Sequence, residues 1–450
     1  MKKYPLIGLL VACAWLPAAT QAAMGPFQVY EQALRRDPTY LAAFKAREAG
    51  QEYRAIGRAG LLPNISYSYN KGRNDSEVRY LGDSRRQKED RNYNSMGSTF
   101  ILQQPLFDYE AYASYRKGVA QALYADESFR DQSQQLLVRV MTSYTQALFA
   151  QDQIAISVAS KQAYRQQFQQ NQRLFDAGEG TRTDILEAQA RYELADAEEI
   201  QARNDQDAAL RELGALIGEP AVRVEDLAPL RVGFALPVVD PSGYEAWQAR
   251  ALANNPQLAS SRQALDVARY EVERNRAGHL PKVTAFATSR RQESDSGNTY
   301  NQRYDTNTVG IEVSVPIFAG GGVMASTRQA SRHLEQAEYE LDGNTRSALI
   351  ELRKQYNACQ SGASRLRAYE RALVAAEALV VSTRKSVQGG ERVNLDVLNA
   401  EQQLATTRRD LAQARYDYLL AWIKLHYQAG MLSETQLARV DEAFIEGKSG

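Results

Sequence analysis

Residues 397–425, VLNAEQQLATTRRDLAQARYDYLLAWIKL, contain two interleaved series of residues spaced by seven. The first series is Val397, Leu404, Leu411, Tyr418 and Leu425, and the second is Ala400, Thr407, Ala414 and Ala421. Alternating steps of three and four place both series on one face of a helix, which predicts a coiled coil. Because the second series is small throughout, we expect helices that pack closely side by side rather than a filled bundle.

The same pattern occurs earlier in the chain. It consists of Ala188, Ala195, Ala202 and Ala209, with Ile185, Tyr192 and Leu213 on partner positions. Glu199 and Gln206 interrupt it. The segment 112–176 has a similar period in Val140, Ala147, Ile154, Phe168 and Phe175, with Lys161 as an exception. About 65 helical residues extend roughly 100 Å, which no compact domain needs.

The chain contains two copies of one pattern. Residues 58–63, RAGLLP, match residues 276–281, RAGHLP, and residues 184–188, DILEA, match residues 396–400, DVLNA. A repeat of roughly two hundred residues indicates a duplication. We predict a signal peptide (1–22), a first repeat (23–218), a Pro-rich linker (219–243), a second repeat (244–430) and a C-terminal tail (431–450). Each repeat is predicted to hold a helix, a β-hairpin (63–107 or 281–318) and a long helical pair (108–217 or 323–429).

Residues 1–22 have the layout of a signal peptide. Lys2 and Lys3 precede a mostly apolar run, and Thr20 and Ala22 are the small residues before the expected cleavage site. A lipoprotein cleavage box that ends at Cys13 is the alternative, but it would leave only a very short signal. After cleavage at Ala22 a single cysteine remains, so no disulfide within the chain is expected.

Short helices and hairpins are predicted ahead of the long helices. Asp37 and Asn255 each precede a proline, which is the pattern of an N-cap followed by Pro at the first helical position. Gly60 and Gly278 are expected to end these helices. Alternation then predicts strands with one apolar face, formed by Ile65, Tyr67 and Tyr69 and by Val309, Ile311, Val313 and Val315. Ordinary hairpins on a soluble core are the alternative.

Four strands per chain cannot close a barrel, since the smallest membrane barrels use about eight. An open edge in lipid leaves backbone groups unpaired at several kcal/mol each, so a membrane sheet of this kind must assemble. Two chains would give about eight strands with a filled interior, and three would give about twelve with room for a lumen. Strand arithmetic alone does not choose between them.

Composition argues against several classes of protein. The formal net charge is zero, so no basic excess indicates nucleic acid. His279, His333 and His426 are scattered without metal-ligand spacing, and residues 319–322, AGGG, lack the Lys-Ser/Thr of a phosphate loop. We therefore expect no enzyme, no cofactor and no metal. A coiled-coil spacer of the envelope, with no pore, is the remaining alternative to a transport function.

The order of elements, the duplication and three short strings resemble the TolC family of outer-membrane factors. The strings are residues 104–107, QPLF, residues 315–318, VPIF, and residues 390–398, GERVNLDVL. The resemblance implies an α+β membrane protein: a trimeric, twelve-stranded outer-membrane β-barrel continued by a periplasmic α-helical coiled-coil barrel. Most of the chain would lie in the periplasm.

The resemblance also implies partners. A periplasmic membrane-fusion adaptor would dock on the channel, and an inner-membrane ABC transporter, or another pump, would supply the energy. Overall length is most similar to members that serve type I protein secretion, such as protease exporters. The expected cargo is thus unfolded protein, and the alternative is efflux of drugs or other small molecules.

The turns at Gly178 and Gly390 reverse the long helices and are expected to form the periplasmic tips. Family resemblance implies a periplasmic gate there, formed by Thr183, Asp184, Arg392, Asp396 and Asn399. It also implies adaptor contacts at Gly178, Glu179, Gly180, Gly389, Gly390 and Glu391. Asn399 departs from relatives with a second acidic ring residue, and Val387 stands where a bonding tyrosine occurs.

Overall fold

The computed structural model describes residues 23–79, 89–231, 233–296 and 298–444. The predicted signal peptide, including Cys13, and residues 445–450 lie outside the described residues. The helices are α1 (Pro26–Arg36), α2 (Pro38–Ala59), α3 (Tyr109–Asp176), α4 (Arg182–Ile217), α5 (Tyr244–Asn254), α6 (Pro256–Arg276), α7 (Gly322–Gln388), α8 (Asn394–Gln428) and α9 (Glu434–Asp441). The strands are β1 (Asn64–Val78), β2 (Glu89–Phe107), β3 (Lys282–Glu293) and β4 (Arg303–Ser314).

Both halves of the chain present the same order of elements: two short helices, a hairpin, and two long helices. The predicted α+β class, with four strands per chain and an internal repeat, is confirmed. Helices α3 and α7 contain 68 and 67 residues, so each is a rod of roughly 100 Å. Within the described ranges, no helix is both long and apolar enough to cross a membrane.

The predicted N-caps of the short helices are confirmed. Asp37 Oδ2 accepts a hydrogen bond from the Tyr40 amide at 3.0 Å, and Asn255 Oδ1 accepts one from the Leu258 amide at 3.1 Å. Asp37 is buried and also accepts a 2.6 Å bond from Arg139 Nη2 on α3. The cap therefore joins the start of α2 to the middle of the neighbouring rod.

The two hairpins form one antiparallel sheet in the order β1-β2-β3-β4. Tyr67 lies opposite Phe100, and Ala287 lies between Leu102 and Val309, so the apolar positions of all four strands share a face. Val309 is 85% exposed on that face. The predicted alternation is confirmed, and the apolar face has no cover within the described chain.

The rods pack in two rows that share α3 and α7. Next to the sheet the order of contacts is α2, α3, α6 and α7, and at the far end it is α4, α3, α8 and α7. Glycine permits the closest approach in the first row, because a Cβ on Gly118 would lie 2.3 Å from the Tyr53 carbonyl oxygen. The row at the far end consists of two helical hairpins. We call α3 with α4 the first hairpin and α7 with α8 the second hairpin.

The heptad seams are buried as the sequence predicts. Each named position of α8 from Val397 to Leu425 is buried, and so are the four seam alanines of α4. The two interruptions in α4 have partners on α3. Lys161 Nζ lies 3.0 Å from Glu199 Oε2, and Gln206 Nε2 donates to Gln151 Oε1. The two polar residues that interrupt the apolar series of α4 therefore pair with polar residues of α3.

A large apolar core joins the middle of the rods to the short elements. Trp247 of α5, Trp422 of α8 and Tyr144 of α3 are fully buried there. Helix α9, for which the sequence predicts no element, also contributes Leu437 and Val440. The Pro-rich segment lies over this core, and the Trp422 indole donates to the Val238 carbonyl oxygen at 3.2 Å.

Candidate functional site: the helical tips

The two tips turn with the same backbone geometry. Gly178 and Gly390 have φ of 79° and 78°, the left-handed region that favours glycine. The Glu179 amide donates to the Leu174 carbonyl at 2.9 Å, and the Glu391 amide donates to the Ser386 carbonyl at 2.9 Å. These are the bonds of a Schellman motif, so each rod ends with its last carbonyls satisfied.

The tips differ at the start of the returning helix. In the first hairpin Thr181 and Asp184 form a capping box, with the Asp184 amide 3.2 Å from Thr181 Oγ1 and the Thr181 amide 3.3 Å from Asp184 Oδ2. In the second hairpin Val393 is the N-cap and has no hydroxyl. The carboxylate of Asp184 is thus bound to its own helix end, while that of Asp396 has no such partner among the described residues.

The predicted gate residues lie around these turns. Thr183 and Asp184 lie in the first turn of α4, Asp396 in the first turn of α8, and Arg392 in the loop just before it. Neither Thr183 nor Arg392 makes a side-chain hydrogen bond or ion pair to any residue in the described ranges, and both are exposed. The structure does not bring these four side chains into contact within one chain.

A groove of about 630 Å³ separates the two tips. Leu174 and Gly180 line it on one side and Val387 and Val393 on the other. At its head Gln167 Nε2 of α3 donates to Asn394 Oδ1 of α8 at 2.5 Å. Val387 offers only an apolar surface here, so it supplies no hydrogen bond across the groove.

Further from the turns, Arg191 of α4 bonds to α8. Its Nη1 donates to Gln402 Oε1 at 2.5 Å, and its Nη2 donates to Asn399 Oδ1 at 3.3 Å. Asn399, predicted as a gate residue, is therefore an acceptor for an arginine of its own chain. Sequence reasoning missed Arg191, although Asn399 and Gln402 form a polar pair one turn apart outside the two seam series.

The lateral edges of the chain expose apolar side chains opposite the buried seams. On α4, Leu186 and Ile200 each precede a buried seam alanine by two positions, which is about 200° around a helix. On α7, Val374 stands in the same relation to buried Ala376 and is 69% exposed. Both outer rods thus carry an uncovered apolar stripe.

His426 belongs to the apolar core and lies far along α8 from the tips. Its ring lies 3.9 Å from the Trp422 ring and 5.0 Å from the Trp247 ring, centroid to centroid. Burial lowers the pKa of His426 to about 4. No group of three potential metal ligands occurs among residues 23–79, 89–231, 233–296 and 298–444.

Comparison with known proteins gives consistent results. A family model described as outer membrane efflux protein matches residues 29–219 and 247–430. The alkaline protease secretion protein AprF of Pseudomonas aeruginosa is 53% identical over 95% of this chain and 89% of its own length. The proteases secretion protein PrtF of Dickeya chrysanthemi is 43% identical over 96% of this chain and 94% of its own. The solved outer membrane protein VceC of Vibrio cholerae superposes with a TM-score of 0.76 at 19% identity, over 90% of this chain and 96% of that one.

Proposed function

The chain belongs to the outer membrane efflux protein family, and from that premise we propose that it is the outer-membrane channel of a protein secretion system. The observation that carries the proposal is the similarity to two protease secretion proteins over nearly the whole chain. The cargo is accordingly an unfolded protein of the secreted protease class. The chain acts as a passive duct and not as an enzyme.

The geometry supports a duct formed by several copies. Strands β1 and β4 are at the two ends of the described sheet, so each presents one edge to a neighbouring chain. The apolar stripe on α4 and that on α7 lie on opposite sides of the far row. If the α4 stripe of one chain contacts the α7 stripe of the next chain, the interface is head-to-tail. Repeating such an interface gives a closed ring when the rotation between neighbouring chains divides a full turn evenly.

Three copies give twelve strands, which is enough for an open lumen, whereas eight strands leave an interior filled by side chains. The homotrimer is therefore the state in which this sheet can pass a polypeptide. The exposed apolar face, with Val309 and Tyr67, would then contact outer-membrane lipid. The rods would continue the duct into the periplasm.

The tips supply the docking and gating end of this duct. The exposed turns around Gly178 and Gly390 contact a periplasmic adaptor, which connects the duct to an inner-membrane ABC transporter. Thr183, Asp184, Arg392, Asp396 and Asn399 surround the entrance and restrict it. Because Thr183 and Arg392 have no partner among the described residues of one chain, they are free to bond to neighbouring chains.

The experiment that tests this function compares cells with the chain, without it, and with it restored. Loss and recovery of extracellular protease activity, with unchanged sensitivity to drugs, is the expected result. The second candidate is small-molecule efflux, which the family description favours. Raised drug sensitivity with a normal level of extracellular protease would support efflux and contradict protein secretion.

A further inference from the structure

Arg191 connects two hairpins that otherwise share few polar bonds near their tips. It projects from α4 of the first hairpin and donates to Gln402 and Asn399, which lie one turn apart on α8 of the second. A guanidinium presents its donors as a rigid fork, so two acceptors on one helix face fix the position of that helix. The contact therefore restrains rotation as well as separation of the two hairpins.

The other charged contacts in the same half of the rods hold each hairpin together internally. Lys161 pairs with Glu199 inside the first hairpin. Arg384 pairs with Glu401, and Arg408 with Glu377, inside the second. Among the described residues, the polar side-chain bonds between hairpins from this level to the turns are those of Arg191 and the single bond from Gln167 to Asn394.

We propose that Arg191 is a positioning residue that holds the second hairpin against the first and so favours the closed tip. This inference rests on the proposed channel function. It shares Asn399 with the predicted gate but differs from the proposed bonds between chains, because Arg191 acts within one chain and lies about two turns along α4 from the turn residues. It also explains how the two hairpins are kept together although Val387 carries no donor.

Apolar packing at the same level fixes the geometry of this contact. Leu398 of α8 is fully buried in a cluster with Tyr164 of α3 and Ala188 and Ala195 of α4. Because Ala188 and Ala195 are small, α8 approaches α4 closely enough for Arg191 to reach its acceptors on α8. Both acceptors are neutral amides, so the contact does not depend on the ionisation of a carboxylate.

The test is single-channel recording of the full-length mature protein in lipid bilayers. Arg191→Met removes the donors and keeps the length of the side chain. One such charge-assisted bond favours the closed state about fivefold per chain, so we expect a clear rise in open-state occupancy. Arg191→Lys keeps the charge and can still donate to Gln402 but lacks the fork, so its open-state occupancy should lie between those of the wild type and Arg191→Met.

Arg203→Met is the matched control. Arg203 lies on the same helix, and its Nη2 donates at 2.7 Å to Glu199 of that helix, so its loss removes an equal charge without affecting α8. We expect wild-type occupancy from this variant. Gln402→Ala, which removes the nearer acceptor, should reproduce part of the effect of Arg191→Met, and the two changes together should add nothing to Arg191→Met alone.

Equal occupancy of Arg191→Met and the wild type, in channels that conduct, would overturn the inference and leave the channel function intact. Equal effects of Arg191→Met and Arg203→Met would also overturn it, because they would indicate a general effect of charge. Absence of conductance from wild-type protein in the bilayer would instead contradict the proposed function, and the inference with it.

Discussion

At the scale of single residues, His426 shows how burial sets a protonation state. The imidazole is held between two tryptophans, and its pKa falls to about 4 from an ordinary value near 6.5. The folded state therefore keeps His426 neutral at a pH where the unfolded chain binds a proton. Above about pH 6.5 His426 is neutral in both states and does not lower the free energy of unfolding. As the pH falls toward 4, protonation of the unfolded chain progressively lowers that free energy.

His426→Leu should make the free energy of unfolding less dependent on pH between about 6.5 and 4. The shift corresponds to about 3 kcal/mol per chain between pH 7.5 and 4, so the variant should lose less stability than the wild type over this range. Unfolding of purified protein at several pH values measures the difference. His333→Gln is the control, because it removes an exposed imidazole on α7 that lies outside the apolar core. An unaltered profile for His426→Leu would contradict this prediction.

Arg392 is the residue-scale test of the proposed gate. It is exposed and has no partner among the described residues of its own chain, so the gate proposal requires its partner to be on a neighbouring chain. Arg392→Ser should therefore raise single-channel conductance by removing that bond. Arg182→Ser, at the start of α4, is a suitable control for charge. Equal conductance of Arg392→Ser and the wild type would remove Arg392 from the gate.

At the scale of elements, the seam between α3 and α4 depends on small residues. Ala188 is fully buried against Tyr164 and Leu398. Ala188→Leu should force these helices apart and destabilise the protein by about 1–3 kcal/mol. Gln189→Leu introduces the same side chain at the adjacent, exposed position and should have little effect. Denaturation of the two purified variants gives the comparison, and equal losses would contradict a close-packed seam.

The unequal caps of the two tips give another element-scale prediction. Val393→Thr places a hydroxyl opposite Asp396, in the arrangement that Thr181 and Asp184 have in the first tip. An added N-cap stabilises a helix end by about 1 kcal/mol. Hydrogen exchange in the first turn of α8 should slow accordingly, while the first turn of α4 should not change. Unchanged exchange in α8 would show that the second tip is ordered by other contacts.

The elements that sequence predicted are those specified by local pattern. Heptad spacing, the caps Asp37 and Asn255, and alternation in the strands all depend on residues close along the chain. Helix α9 was not predicted, because eight residues are too few to establish a period. Arg191 was missed for a different reason: its partners are about 210 positions away, and only the packing of the two hairpins brings them together.

At the scale of the whole molecule, a single chain leaves sheet edges and apolar surfaces without a partner among the described residues. The sheet ends at β1 and β4, its apolar face is uncovered, and the outer rods carry apolar stripes opposite their buried seams. Monomeric soluble proteins rarely expose such extended apolar areas. Association of identical chains and contact with lipid account for all three features together.

Native mass spectrometry of the purified protein in detergent tests this account most directly. Our account predicts one dominant species with three times the mass of the mature chain, since twelve strands are needed for a lumen. A stable dimer would mean about eight strands and a filled interior, and a monomer would leave the edges unpaired. Either result would contradict a duct that passes protein across the outer membrane.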